Sequence, residues 1–479
     1  MQITKQSILR LTVAGFILFT VLPGFSQLTN TLYFMKGVPQ VYQVNPAFQP
    51  GCKFFIGLPG LSPLQVRVQN QPLVLNDILY YNSEEGKLIT FLHPLGDKEA
   101  FLNALNKRNY LNADVGVPIA SIGFGSPSGG RFVAFDITQR ITTNVTYPKD
   151  LFRLPIHGLD SAMNFDFAGL GVNAMSYTEL GMNFSQKIGE LITVGVRGKI
   201  LLGQANLSFS KFDVTLATDE ESWLVNSDVQ IDATLPFLDV KYDEDGMIDF
   251  ENTDVIADLE NKIPQLVFNP KNVGLALDLG VDVKPMEWLQ VSASVVDFGS
   301  IRWKDEVYNL SNQAQYDFRG FEVSVDEDAP DPLEALVDSL AESFKFSSTN
   351  QAYRTWLPTK LYLGASFYVH PKISFGVLSR TEFYKKDLRQ QFTLSANLYP
   401  IRMISTSFTY SIIEGSYKNL GLGLALKAFP FNFYILTDTG PSVYFWPTEA
   451  NYVNLRIGMN LMFGCKQKKG VKYDLPLVN

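Results

Sequence analysis

Along residues 357–463 the chain alternates. Leu361, Leu363, Ala365, Phe367 and Val369 are apolar, while Tyr362, Gly364, Ser366 and Tyr368 between them are small or polar. The pattern returns in Phe392, Leu394, Ala396 and Leu398, and again in Leu420, Leu422, Leu424 and Leu426. It closes with Val453, Leu455, Ile457, Met459, Leu461 and Phe463. Successive side chains of a β-strand point to opposite faces, so each segment predicts a strand with one apolar face. Strands of soluble sandwiches run ~5–6 residues. These run about 10–12, the length of a tilted strand that crosses a bilayer. The expectation is an all-β, antiparallel transmembrane barrel.

The same alternation places further strands at 115–125, 131–141, 173–186, 192–203, 273–283 and 289–295. A first strand near residues 54–68 is bent, because Pro59-Gly60 and Pro63 interrupt it. Short turns fall at 126–130, 188–190, 284–287, 370–372, 399–402 and 429–431, and longer connections lie between them. Barrels alternate short periplasmic turns with long outer loops, and that rule brings the count to about fourteen strands. The barrel spans residues 52–463, with insertions near 70–112, 142–172, 204–270 and 301–357. Inside the first insertion a helix is predicted over 97–108, with Asp97 as N-cap and Phe101, Leu102 and Leu105 on one face.

The ends change the picture. Lys5 and Arg10 precede an apolar run over 11–22 and then Pro23-Gly24-Phe25-Ser26-Gln27, which reads as a signal peptide over 1–27. No later stretch is long and apolar enough to span as a helix. A membrane protein without spanning helices must close its strands into a barrel, and behind a signal peptide that means the cell outer membrane. Residues 28–51 carry Tyr33, Phe34, Tyr42 and Phe48 but one charge, Lys36. A free tail is rich in charge and poor in aromatics, so this segment is expected as an irregular plug inside or beneath the barrel. Residues 464–479 form a periplasmic tail. Cys52 and Cys465 flank the barrel without a metal-ligand pattern. A disulfide between them is possible in an oxidising compartment, but free thiols are the favoured reading. Only 18% of the residues are charged and 13% are aromatic, as a barrel with aromatic girdles requires. The net charge of −8 argues against nucleic acid.

Asn45-Pro46-Ala47 and the strand count resemble the FadL-type outer-membrane barrels, which are fatty-acid channels with an N-terminal segment entering from the periplasm. Asn45-Pro46-Ala47-Phe48, Ile56-Gly57-Leu58-Pro59-Gly60-Leu61, Leu154-Pro155 and Gly195-Val196-Arg197-Gly198-Lys199-Ile200-Leu201-Leu202-Gly203 more closely resemble a Bacteroidota family of predicted outer-membrane barrels related to FadL and PorV. The resemblance implies a FadL-like fold in outer-membrane lipid. For function it implies a channel or uptake protein for a hydrophobic or amphipathic small-molecule ligand. The alternative is a non-transporting component, either a secretion-system partner or a surface scaffold.

Residues of reactive type do not assemble into a catalytic pattern. His93, His157 and His370 lie in different connections, so neither a zinc site nor a nucleophile–base pair is predicted. No enzyme activity and no cofactor are expected. Asp243, Asp245 and Asp249 carry part of a calcium-loop pattern, but Lys241 stands where an oxygen ligand belongs and Asn252 where a glutamate belongs. A solvated acidic turn is the blander reading. Residues 333–340 suggest an amphipathic helix folded onto its own loop. Alternation assigns Glu179, Arg197, Lys199, Asp278, Asp282, Lys360, Arg380, Glu382, Lys427 and Arg456 to the lumen. Their mixed signs favour a network that fills the lumen over a selectivity lining.

Overall fold

A computed structural model describes residues 30–83, 86–126, 130–158, 163–219, 222–242, 248–255, 268–318, 346–384, 387–401 and 403–465. Fourteen antiparallel strands close into a barrel. Strand β1 is broken into Phe54–Gly57 and Leu64–Gln71. Then come β2 (Arg108–Gly125), β3 (Arg131–Pro148), β4 (Gly171–Ile188) and β5 (Ile192–Thr218). Next are β6 (Asn272–Met286), β7 (Leu289–Trp303), β8 (Thr359–His370) and β9 (Ile373–Tyr384). The wall is completed by β10 (Asp387–Ile401), β11 (Ile404–Ile413), β12 (Ser416–Ala428), β13 (Phe431–Thr437) and β14 (Tyr452–Phe463). The ring shuts at β1, where Phe54 lies opposite Phe463 of β14 and Phe124 of β2.

The faces follow the alternation. On β12, Leu424 and Leu426 are exposed, whereas Gly423 and Ala425 are buried. Among the described residues no helix is long and apolar enough to cross a membrane. Outward Met182, Leu275, Phe392, Leu394 and Phe408 belong to the exposed apolar surface that lipid covers.

Several boundaries differ from the sequence reading. β2 begins at Arg108 and not near 115, and β3 runs on to Pro148 and not 141. Residues 142–148 are mostly polar, so alternation fades there, although the ladder continues to Arg108 opposite Pro148. The predicted helix over 97–108 is shorter, Lys98–Ala104, because β2 takes the chain from Arg108. Asp97 does cap it, its Oδ1 accepting from the Ala100 amide at 2.8 Å. Beyond Gly203, β5 leaves β6 and pairs with Trp223–Thr234, which pairs in turn with Val307–Phe318. The two long insertions thus raise a sheet above the loop end of the barrel.

Cys52 and Cys465 are joined in a disulfide, which corrects the expectation of free thiols. The reason is closure itself. Cys52 leads into β1 and Cys465 follows β14, and those strands are neighbours. The signal peptide over 1–27, the helix at 333–340 and most of the tail at 464–479 lie outside the described residues.

Candidate functional site

Residues 30–48 run through the lumen, and nearly every side chain there is buried. A short helix, Asn30–Phe34, is followed by a 3-10 turn, Pro39–Gln43. No residue in this stretch pairs as a strand, so side chains of the wall satisfy its polar groups. The Asp438 carboxylate accepts from the backbone amides of Asn30 and Thr31, each at 2.9 Å. Tyr33 hydrogen-bonds the Ser292 hydroxyl at 2.9 Å. Asn45 Nδ2 donates to the carbonyls of Val281 and Ala293 at 3.3 and 3.2 Å, which ties the Asn45-Pro46-Ala47 turn to β6 and β7. The apolar side chains pack into one cluster, with Leu32, Phe34, Val38 and Val41 meeting Tyr362, Leu378 and Leu436 of the wall. Two wall glycines make the contact possible. A Cβ at Gly195 would enter the Pro46 carbonyl, and one at Gly280 would enter the Asn45 side chain.

Around this segment the lumen is laced with ion pairs, and Tyr42 donates to Asp136 at 3.0 Å. Arg197 reaches Asp136, Glu179 and Asp278 at 2.5, 2.6 and 3.3 Å. Arg140 joins the same Glu179 at 2.9 Å. Lys199 bridges Asp278 and Asp297 at 2.7 and 2.5 Å, and Lys360 meets Asp297 at 2.6 Å. This chain of charges crosses six consecutive strands, β3 to β8. A second group joins Arg67 to Asp114 at 2.7 Å and to Glu382 at 3.5 Å, with Arg380 on Glu382 at 2.8 Å. Burying such ions is costly unless each has partners, and most here have two or more.

Of the ten charges assigned to the lumen, Glu179, Arg197, Lys199, Asp278, Lys360, Arg380 and Glu382 join these two groups. Asp282 stands apart, accepting from Gln290 Nε2 and lying 4.0 Å from Lys36 of the crossing segment. Lys427 is half-buried beside Gly37. Arg456 is buried without a carboxylate partner among the described residues. Sequence reasoning passed over Arg67, Asp114, Asp136, Arg140 and Asp297. The parity of Phe135, Ile137 and Ile141 on the outer face already turns Asp136 and Arg140 inward. Asp297 carried no such signal: a bulge in the β6–β7 ladder swings it in at φ 64°. Of the calcium candidates, Asp243 and Asp245 lie outside the described residues, and Asp249 lies in the short strand Ile248–Val255. Among the described residues no cluster of His, Cys, Asp and Glu of metal-holding size occurs.

The wall is irregular at β1. Between the halves of β1, residues 58–63 depart from regular strand pairing, with Pro59, Gly60 and Leu61 exposed and Ser62 turned inward. Three backbone hydrogen bonds still hold the stretch: Leu58 N–H to the Met459 carbonyl at 3.0 Å, Gly60 N–H to the Pro118 carbonyl at 2.8 Å, and Met459 N–H to the Leu61 carbonyl at 3.1 Å. Behind this stretch, Gln40 of the crossing segment donates to Ser62 Oγ at 3.2 Å and to Asn460 Oδ1 at 2.6 Å. Outside it, the barrel surface is concave. Ile56, Ile122, Phe135, Met182, Ile200 and Leu275 line a hollow of about 920 Å³. In hollows of this kind, apolar side chains bind apolar matter and a few polar groups orient it.

The sequence matches a described family over residues 46–438, the family of unknown function DUF5723, and the chain belongs to it. No curated protein matches the sequence. In overall structure the chain is similar to the Ralstonia pickettii toluene transporter TbuX, at 9% identity and a TM-score of 0.38, over 88% of this chain and 93% of that one. It is similar to a Pseudomonas aeruginosa FadL homologue at 10% identity and a TM-score of 0.40, over 92% of this chain and 100% of that one. The P. putida toluene transporter TodX gives 7% identity and a TM-score of 0.35, over 88% and 94%. Likeness of this degree says nothing about cargo.

Proposed function

We propose that this DUF5723 protein is an outer-membrane uptake barrel for hydrophobic or amphipathic small molecules, closed at rest by its own N-terminal segment. The observation that carries the reading is the coincidence of three features at one level of the wall. An apolar hollow faces lipid, regular pairing of β1 gives way beside it to an irregular stretch held by three backbone hydrogen bonds, and Gln40 of the crossing segment backs that stretch. A hydrophobic solute partitions into lipid first, so a lateral door reached from lipid suits it better than an aqueous pore. Movement of Gln40 away from Ser62 then opens a path between hollow and lumen. The signal peptide and the outer-membrane location belong to the same proposal.

A second reading, a non-transporting secretion-system partner or surface scaffold, draws on the ion pairs that crowd the lumen. One experiment separates the two. Entry of N-phenyl-1-naphthylamine is followed in cells that produce the full-length protein, the variant Ser62→Trp, or neither. Uptake above the empty strain that falls with Ser62→Trp, at equal amounts of folded barrel in the outer membrane, supports the lateral door. Equal entry in all three strains overturns uptake and leaves the scaffold.

A further inference from the structure

Arg456 differs from six other buried cations of the lumen. Arg67, Arg140, Arg197, Lys199, Lys360 and Arg380 each touch a carboxylate. Arg456, on β14, is fully buried and donates through Nη2 to the neutral Oε1 of Gln43 at 2.6 Å. Its Nε and Nη1 are enclosed without a hydrogen-bond partner among the described residues.

The neighbouring groups share this lack. Leu64 pairs with Ile457 across the seam, so the next rung sets Gln65 opposite Arg456. Gln65 is fully buried, and neither atom of its amide has a partner among the described residues. Gln43 Nε2, from the crossing segment, is likewise unpartnered. On the far side of Gln65 the register runs to Gly116 and then to Arg140. Gly116 leaves space between them: a Cβ there would lie 3.7 Å from Arg140 Nη1 and 3.9 Å from Gln65 Cδ. The carboxylate of Glu179 is already engaged by Arg140 and Arg197.

A buried guanidinium therefore sits among side-chain amides, the Tyr434 hydroxyl and a second guanidinium, with no free carboxylate. Water satisfies such donors but leaves the positive charge uncompensated, and an uncompensated buried charge is strongly unfavourable. An anion satisfies both. We propose that the niche between Arg456, Gln65 and Gln43 binds a small monovalent inorganic anion of the chloride class. Because Gln43 belongs to the crossing segment while Arg456 and Gln65 belong to the wall, the bound ion ties that segment in place. The site differs in chemistry from the apolar hollow and stands whether or not the barrel carries cargo.

Bromide is the probe. Crystals of the full-length mature barrel are grown in bromide and measured at the bromine absorption edge. In parallel, protease trimming of residues before Cys52 is timed in chloride and in gluconate at equal ionic strength. The expected result is an anomalous peak between Arg456 and Gln65, with trimming several-fold slower in chloride. Arg456→Met and Gln65→Leu should each lose the peak and the difference between salts. Gln65→Leu serves alone if the arginine variant does not fold. No peak together with equal trimming rates means that water alone fills the niche, and overturns the proposal. A peak with no effect on trimming marks an adventitious ion only and overturns it as well.

Discussion

Glu414 turns the chain between β11 and β12 at the loop end, with its backbone at φ 49°. Its Oε1 is enclosed and has no hydrogen-bond partner among the described residues. Burial pushes the carboxyl from the ordinary 4.5 up to about 7, against the weaker pull of Arg67 and Gln69. A carboxyl raised on folding costs nothing below its unfolded pKa, where both states hold the proton. The cost grows between pH 4.5 and about 7 and is complete above, at about 3 kcal/mol. The barrel should therefore lose resistance to denaturant as pH rises through that window, and Glu414→Gln should flatten the decline. Equal slopes for the two proteins would remove Glu414 as the cause. A second residue-scale test uses the faces of β12. Arginine at Leu424, on the lipid side, should cost about 2–4 kcal/mol and depress assembly, whereas Asn419→Arg, on the inward face beside Ser411 and Ser416, meets polar groups with which it can pair. Folding yields read on unheated gels decide, and equal yields would contradict the face assignment.

At the scale of elements, Gly195 offers a test of the crossing segment. Gly195→Ala puts a methyl group into the Pro46 carbonyl, while the outward face of β5 is unchanged. The barrel should still form, and residues before Cys52 should become several-fold more sensitive to protease. Unchanged sensitivity would mean that the contact at Pro46 does not hold the segment. Strands were legible in the sequence wherever one face meets lipid, because lipid enforces the apolar half of the alternation at Leu361, Leu363 or Leu424. In residues 142–148 of β3 just Val145 and Tyr147 meet an apolar cluster, so their pairing left a faint pattern. The aromatic content of residues 28–51 was legible as a need for cover. Its partners were not: Asp438, Ser292 and Gly280 lie hundreds of positions away and are brought near only by closure. The bulge that turns Asp297 inward is set by ladder geometry, and no glycine marks it.

For the whole molecule, the disulfide between Cys52 and Cys465 joins residues 413 positions apart. In the chain-entropy account a loop of that size removes about 6 kcal/mol of freedom from the unfolded state, an upper bound on its stabilisation. Reduction should lower the denaturant midpoint, and Cys52→Ser should show the same shift and then ignore reductant. The sequence could not decide this pairing, since two cysteines at such separation meet only if the first and last strands do. Once they meet, the molecule from Cys52 to Cys465 is a covalent hoop. The segment that fills it hangs from the hoop at a single point, on the side away from the loop that the bridge encloses. Sliding that strap out therefore breaks no bond in the hoop and asks no wall strand to part from its neighbour. Emptying the lumen thus leaves the covalent hoop whole, and what it releases at the wall is the hydrogen bonding of Gln40 to Ser62 and Asn460.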